Sequence, residues 1–301
     1  MDRQPFDDIR ALIADLKPAD ALAGAASLDR LHRIVSPGAL GGLEAFVSWI
    51  ADWRGTPSVN RPVIALYAGA QAGPDGVAKV RAQMEAIAAG GAPVSRAAQH
   101  LGAGLDVFDL AVDRQLGDWR AAAAMSEREC AATMAFGMEA LAKQPDLLVL
   151  GALGPEAERS AAALAAGLSG EAPAGELAAA VARARREAGD DPLQLLRQLG
   201  GRESAAICGA IVAAASQRTP VLLDDVPALA AAEVLHAVEP GAIAHCRIGW
   251  LGAAPAHRAL AERLGLTLPP DLGLALADGT GSTATLSLIK LACALPLEAS
   301  T

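Results

Sequence analysis

The strongest constraint on the fold is a set of five short, almost continuously apolar segments. They are residues 62–69, 105–112, 146–154, 220–226 and 243–250. A segment that is apolar at nearly every position is typical of a strand buried on both faces. Alanine-rich segments with helical spacing separate these strands, at residues 76–89, 126–143, 160–168, 174–188, 203–216 and 228–238. The repetition predicts an α/β fold with a doubly wound, mostly parallel sheet flanked by helices.

The two ends of the chain differ from this central pattern. Residues 1–60 have helical spacing with Gly and Pro punctuation and no clear strand, and the segment after Gly281 is also helical in pattern. We therefore expect a small helical domain built from residues 1–60 plus 282–301, and a doubly wound domain, residues 61–281, that carries the site. Ligands of such sheets bind beyond the carboxyl ends of the strands, so residues that follow a strand are the first candidates.

Composition excludes several classes of partner. The net charge of −9 opposes binding to nucleic acid, and no run of Lys and Arg reverses it locally. The first residues are polar and acidic, unlike a signal peptide, and no apolar stretch approaches the roughly 20 residues that span a bilayer. We therefore predict a cytoplasmic protein with small-molecule substrates and without nucleic-acid or membrane partners. Four widely spaced cysteines without a C-x-x-C pair favour reduced core thiols and no metal site.

The turn Asp278-Gly279-Thr280-Gly281 is the sharpest local signal. Two glycines around a hydroxyl residue allow close backbone approach, and the helical segment that follows directs its free N–H groups toward the turn. One interpretation is a binding site for an anion or a polar ring. The other is structural: Asp278 or Ser282 caps the helix and the glycines form the turn. The turn alone leaves both interpretations open.

Other segments occur with this turn in a characteristic order and approximate spacing. They are SPGALGGLE (36–44), GGAPVS (90–95), AMSEREC (124–130), DPLQLLRQLGGRESAAICGAI (191–211), TPVLLDD (219–225) and LGLTLPPDLGLALADGTGSTATLSLIKLA (264–292). Together they resemble the nicotinate-nucleotide:dimethylbenzimidazole phosphoribosyltransferase family. The similarity extends over nearly the whole chain, and residues from 191 onward are its most specific part.

The resemblance implies a reaction and a place for its base. Enzymes of this family transfer phosphoribose from nicotinate mononucleotide to a benzimidazole nitrogen, release nicotinate and make the lower-ligand ribotide of cobalamin. A glutamate in the family's G-E-G-[ST]-G turn accepts the benzimidazole proton. Asp278 stands at this position as catalytic base, followed by Gly279, Thr280 and Gly281 around the acceptor. The resemblance also implies a homodimer, and the displacement requires no cofactor.

Two family glutamates are replaced in this chain. Asp278 is one methylene shorter than the family residue, and Ala152 stands where a second glutamate is expected after the central strand. A carboxylate misplaced by about 1 Å can lower a rate about 100-fold. Glu156 and Glu158 follow Ala152 closely and are candidate substitute carboxylates, although each is also typical of a solvated helix start.

Further candidates follow other strands. Gly151 and Gly154 remain in the segment that the resemblance assigns to the ribotide, and Tyr67 and Gln71 follow the first strand, where they are candidates for the aromatic-base pocket. The structural alternative for Tyr67 is a core position.

Two more substrate-binding candidates are Asp224 and His257. Asp224 matches a family aspartate that could orient a loop, and it is equally suited to cap the next helix. His257 is the first histidine to test, although a lone histidine is more often structural. Glu203 also matches a family position, but at the start of a helix we interpret it as a capping residue.

Two functions therefore compete. The first is a phosphoribosyltransferase (a glycosyltransferase) acting on nicotinate mononucleotide and a benzimidazole-like base. The alternative is a catalytically inactive relative that binds a ligand or regulates a partner. Ala152 separates them, because catalysis requires another group to fill the role of the missing glutamate.

Overall fold

The computed structural model describes residues 4–73, 76–154, 156–171, 173–252, 255–276 and 278–297. Within them lie five strands: β1 (Pro62–Ala68), β2 (Gly104–Asp109), β3 (Leu147–Leu153), β4 (Val221–Leu223) and β5 (Cys246–Ile248). Each strand falls inside, or within one residue of, one of the predicted apolar segments. The observed strands are shorter than those segments, most of all β4 and β5.

Helices surround these strands in chain order. The α-helices are α1 (Pro5–Ala14), α2 (Ala21–Leu31), α3 (Leu43–Arg54), α4 (Gly76–Ala88), α5 (Pro93–Leu101), α6 (Glu127–Gly137), α7 (Ala157–Ser169), α8 (Glu176–Ala188), α9 (Pro192–Leu199), α10 (Arg202–Ser216), α11 (Val226–Val238), α12 (Pro255–Leu264) and α13 (Thr280–Ala294). Short 3₁₀ turns cover Met138–Leu141 and Pro240–Ile243. No helix in the described part of the chain is both long and apolar enough to cross a bilayer.

The strands form one sheet in the order β2-β1-β3-β4-β5, and every observed pairing is parallel. From β1 the chain moves to one side to form β2 and to the other side to form β3. The connections from β1 to β2 and from β2 to β3 therefore diverge and leave a crevice beyond the carboxyl ends of β1 and β3. The predicted doubly wound α/β fold is confirmed, and the crevice marks the edge at which a ligand site is expected.

Alternate side chains of the central strands enter two separate cores. In β3, Leu148 and Leu150 belong to the core under α6, α7 and α9–α11, whereas Leu147 and Val149 belong to the core on the opposite face. The second core contains Trp49 and Ile50 of α3 together with Leu286 and Ile289 of α13. Helices from both chain ends thus cover one face of the sheet. The division into two domains stays a prediction.

Two glycines allow α6 and α10 to pack with their backbones in contact. A Cβ atom on Gly209 of α10 would overlap the carbonyl of Met134, and one on Gly137 of α6 would overlap the carbonyl of Ala206. Neither obstacle is a flexible side chain, so both helices would have to shift to relieve it. This contact fixes the distance between α10 and its neighbour, and α10 begins at the crevice.

We predict that Gly209→Ala destabilises the protein by about 1–3 kcal/mol, because the overlap exceeds the gain of about 1 kcal/mol in helix propensity. The unfolding free energy from urea titration measures this. Gly117→Ala is the matched control, since no atom lies within 4 Å of a Cβ there. Equal stability of the two variants would contradict the close packing.

Candidate active site

Asp224, directly after β4, holds the glycine turn in place. Its carboxyl group is completely buried; Oδ2 accepts a hydrogen bond from the Gly279 N–H at 2.7 Å, and Oδ1 accepts one from the Ser282 N–H at 3.0 Å. Both donors belong to the start of α13 and have no partner within the helix. Asp224 therefore caps a helix that begins more than fifty residues later. The helix that follows β4 is capped by its neighbour, Asp225.

Asp225, after β4, is bonded to the last part of strand β3. Its Oδ1 accepts from the Ala228 N–H at 2.9 Å, which caps α11, and its Oδ2 accepts from the Ala152 N–H at 2.6 Å. Burial raises the pKa of both Asp224 and Asp225, and the nearby charge of Asp224 raises the pKa of Asp225 further. The two adjacent buried carboxyl groups thus accept hydrogen bonds from different backbone segments: Asp224 from the start of α13, and Asp225 from α11 and β3.

The turn itself requires the residues that form it. Asp278 and Gly279 are both left-handed, with φ of 57° and 84°. A Cβ atom on Gly279 would lie 3.1 Å from Ile64 Cγ2 and 3.2 Å from Leu66 Cδ2, and one on Gly281 would overlap the indole ring of Trp250. The turn therefore lies directly on the sheet and on the segment that follows β5.

The Asp278 side chain remains at the surface of this turn. The residue is half-buried, and its Oδ1 accepts a hydrogen bond from the Thr280 hydroxyl at 2.7 Å. Asp224 and Asp225, by contrast, are buried and bonded to backbone N–H groups. Among these three aspartates, Asp278 is the one that is not fully buried.

His257 lies behind the turn. Its Nδ1 accepts from the Gly252 N–H at 3.3 Å, so Nε2 carries the hydrogen and donates it to the Asp224 carbonyl at 3.2 Å. Trp250 Nε1 donates to the same carbonyl at 2.7 Å. Burial lowers the pKa of His257, which favours this neutral form. Both imidazole nitrogens are engaged by the backbone, and the structure therefore places His257 as a support for the strand ends.

The loops after β1 and β3 meet across the crevice. The Gly69 N–H donates to the Leu153 carbonyl at 3.1 Å, and Gly154 adopts a φ of 151°. Gln71 is buried below this contact, where its Nε2 donates to Ser160 Oγ at 2.9 Å. Gln71 thus lies at the predicted edge, with its amide directed toward α7.

The structure adds Glu203 to this group, although the sequence suggested a capping role. The residue at the start of α10 in the N-cap position is Gly201, and the Glu203 side chain turns inward and is almost completely buried. Its Oε2 lies 3.4 Å from Gln71 Nε2. No local signal near residue 203 reveals this orientation, because the groups around its carboxyl come from distant loops.

Other predicted positions lie away from the ligand edge. Tyr67 is completely buried; its hydroxyl donates to the Gly137 carbonyl at 2.6 Å and its ring stacks on Phe108. Tyr67 therefore occupies a core position, the structural alternative to a place in the aromatic-base pocket, because its side chain points from β1 toward α6. A Cβ on Gly151 would lie 3.2 Å from Leu66 Cδ2 and 3.3 Å from Asp225 Oδ2, so this glycine permits strand packing.

The candidate substitute carboxylates are either paired or exposed. Glu156 accepts from Arg120 Nη2 at 2.8 Å and from Arg159 Nη1 at 3.3 Å, and Glu158 is exposed at the start of α7. Neither reproduces a free carboxylate at Ala152. Across the described ranges, no group of three or more His, Cys, Asp or Glu side chains is arranged to hold a metal ion.

We predict that Asp224→Ala lowers the free energy of unfolding by about 3 kcal/mol, because two backbone donors of α13 lose their buried acceptor. Chemical denaturation measures the effect. Asp271→Ala is the control: this exposed aspartate also accepts a backbone hydrogen bond, from the Gly273 N–H, but in solvent. A loss for Asp224→Ala no larger than that of the control would show that the cap does not stabilise the turn.

Comparison with known proteins places this geometry in a family. The sequence profile of a phosphoribosyltransferase family matches residues 16–301. The nicotinate-nucleotide–dimethylbenzimidazole phosphoribosyltransferase of Rhizobium leguminosarum bv. trifolii is 42% identical, over 96% of this chain and 93% of its own. The protein of the same name from Sinorhizobium fredii is 43% identical with the same coverage. The crystal structure of the Thermus thermophilus counterpart superposes with a TM-score of 0.81 at 28% identity, over 92% of this chain and 96% of that one. The chain therefore belongs to the nicotinate-nucleotide–dimethylbenzimidazole phosphoribosyltransferase family.

Proposed function

We propose that the protein transfers phosphoribose from nicotinate mononucleotide to a benzimidazole-type base, as the names of its relatives state for those proteins. The observation that carries the proposal is the half-buried Asp278 on a turn that buried hydrogen bonds to Asp224 hold at the carboxyl edge of the sheet. A general base must reach the proton that it removes and must be held in one orientation. The Asp224 cap and the Thr280 hydroxyl supply that orientation.

The reaction is a displacement at the anomeric carbon of the ribose. One nitrogen of the acceptor base forms a bond to this carbon, and the bond from the carbon to the pyridine nitrogen of nicotinate breaks. The leaving nitrogen keeps the electron pair and becomes a neutral pyridine, so it needs no proton. The second acceptor nitrogen loses its hydrogen to the Asp278 carboxylate, which makes the attacking nitrogen more nucleophilic as the bond forms.

The acceptor and donor occupy different loops in this proposal. The acceptor base lies against the turn on the side of the half-buried Asp278 carboxylate. The sides of Gly279 and Gly281 that lack a Cβ are already covered by Ile64, Leu66 and Trp250, so the ring does not stack on these glycines. The nicotinate mononucleotide lies toward Gly154 and Gln71, beyond β3 and β1, which is where ligands of doubly wound sheets bind.

One carboxylate is sufficient for this chemistry, so the reaction is compatible with Ala152 in place of a second glutamate. The leaving nicotinate requires no acid, and the acceptor loses a single proton. Glu156 is bound to two arginines, and the single proton removed leaves no role for a second base. We therefore favour catalysis over a purely ligand-binding role, for which no described feature gives specific support.

The proposal includes a homodimer. Apolar surface is available for it at the chain ends, since Leu22 of α2 is 81% exposed, Ile34 is 60% exposed and Leu291 of α13 is 62% exposed. Sedimentation equilibrium is expected to give twice the chain mass of 30.4 kDa. A mass of one chain at micromolar concentration would remove dimerisation from the proposal.

We predict that Asp278→Asn lowers turnover at least 100-fold, because an amide cannot accept the acceptor's proton. The unfolding free energy should change by less than about 0.5 kcal/mol, since Asn tolerates a left-handed backbone well. The assay is chromatographic detection of nicotinate released from nicotinate mononucleotide when dimethylbenzimidazole is present.

Asp271→Asn is the matched control, because it neutralises an exposed aspartate in the loop that precedes the turn. Its turnover should equal that of the unchanged protein. Full turnover by Asp278→Asn would exclude this residue as the base. Absence of acceptor-dependent nicotinate release by the unchanged, folded protein would reject the proposed reaction.

A further inference from the structure

The carboxyl group of Glu203 lies in a cradle of three glycines that come from three different loops. A Cβ atom on Gly69, after β1, would lie 2.5 Å from Glu203 Cδ, and one on Gly154, after β3, would lie 2.9 Å from Oε1. A Cβ on Gly201, before α10, would overlap Oε2. The carboxyl therefore fills the space between the two loops that border the crevice.

The polar groups around this carboxyl group include more buried hydrogen-bond acceptors than donors. Gln71 Nε2 donates to Ser160 Oγ at 2.9 Å and lies 3.4 Å from Glu203 Oε2, while the Ser160 hydroxyl donates to the Ala157 carbonyl at 3.1 Å. The Oε1 atoms of both Glu203 and Gln71 are buried without a partner. A proton on Glu203 Oε1 would change that atom from an acceptor into a donor.

The charged groups around the cradle are directed elsewhere. On α10, Arg202 binds Glu129 of α6 at 2.8 Å and its Nη1 donates to the Arg114 carbonyl at 2.5 Å. At the start of α7, Glu156 is paired with Arg120 at 2.8 Å, and Glu158 and Arg159 are exposed. The loop after β1 contributes Gln71, which is uncharged. No Lys, Arg or His in the described part of the chain forms an ion pair with the Glu203 carboxyl.

Burial dominates the ionisation of Glu203 in these surroundings. It raises the pKa of the carboxyl to about 7, and the hydrogen bonds to its own backbone N–H and to Gln71, with the charge of Arg202, oppose this rise less strongly. The neutral form is therefore populated in the folded protein well above the pH at which an exposed glutamate ionises.

We propose that Glu203 is a positioning residue which, by carrying a proton, holds Gln71 and the loops at Gly69 and Gly154 in the arrangement that binds the nicotinate mononucleotide. The assignment rests on the proposed function, because it concerns the donor side of the same crevice. Ionisation places an uncompensated charge between the two loops and loosens them. Glu203 touches no reacting atom; it acts through Gln71 and the loop backbones.

The test compares the unchanged protein with Glu203→Gln, which is nearly isosteric and cannot ionise. Because the folded pKa exceeds the unfolded one, the stabilising effect of the proton is complete below about pH 4.5 and declines as the pH rises toward 7. The ratio of the folding constants, unchanged protein to Glu203→Gln, should fall about tenfold per pH unit between about pH 4.5 and 7 and level off above pH 7. Glu85→Gln, an exposed position on α4, should show no such trend.

The second readout is the KM for nicotinate mononucleotide. In the unchanged protein it should rise about tenfold per pH unit above 7, as the neutral form of Glu203 is depleted. In Glu203→Gln it should change less than about twofold over the same range, while the ratio of kcat between the two proteins stays independent of pH. This split distinguishes positioning from a general loss of structure.

Two results would overturn the proposal. The first is a ratio of folding constants, unchanged protein to Glu203→Gln, that does not depend on pH. The second is the expected pH trend in that ratio together with the same KM profile in both proteins, because Glu203 would then be merely structural. If the unchanged protein releases no nicotinate, the proposed function fails separately. The affinity for nicotinate mononucleotide measured by calorimetry then replaces KM, with the same expectation for the two proteins.

Discussion

The hydrogen bonds from Gly279 and Ser282 to the Asp224 carboxylate are the interaction on which the site depends. Asp224 ends a central strand, and its own carbonyl receives Trp250 and His257 from the segment after the last strand. One residue thus joins the ends of β4 and β5 to the start of α13. Because those donors are buried, losing their acceptor would cost more than the bonds themselves. The position of the glycine turn is therefore fixed by hydrogen bonds to the end of β4 as well as by the turn's own residues.

The fold was predictable because β1, β3 and β4 are buried along nearly their whole length, as their unbroken apolar segments indicate, while the edge strand β2 is only partly buried. Most of the helical segments between them extend over several turns. The helices that escaped the sequence analysis, α5, α9 and α12, are short and each begins at a proline. They carry too few turns for periodicity to separate them from loops. The last strand begins later than its apolar segment, since the first residue of that segment, Ile243, ends the 3₁₀ turn Pro240–Ile243.

The candidate site was predictable where a single segment contains its chemistry, as at Asp278 to Gly281. It was not predictable where a side chain can face either core. A strand buried on both faces gives no polar alternation to show that Tyr67 points under α6. Glu203 escaped for a related reason, since its cradle is assembled from glycines at positions 69, 154 and 201 that become neighbours only in the folded sheet.

The left-handed backbone at residue 278 limits which acid can stand there. Aspartate and asparagine enter this region more readily than most residues, because their short side chains can bond locally, whereas longer chains pay about 1–2 kcal/mol. The bond from Thr280 to the Asp278 carboxylate is such a local contact. Aspartate therefore suits this main-chain conformation, and its side chain is one methylene shorter than that of the glutamate which the resemblance implies. A residue that acts as the proposed base must therefore fit a left-handed main chain as well as accept a proton.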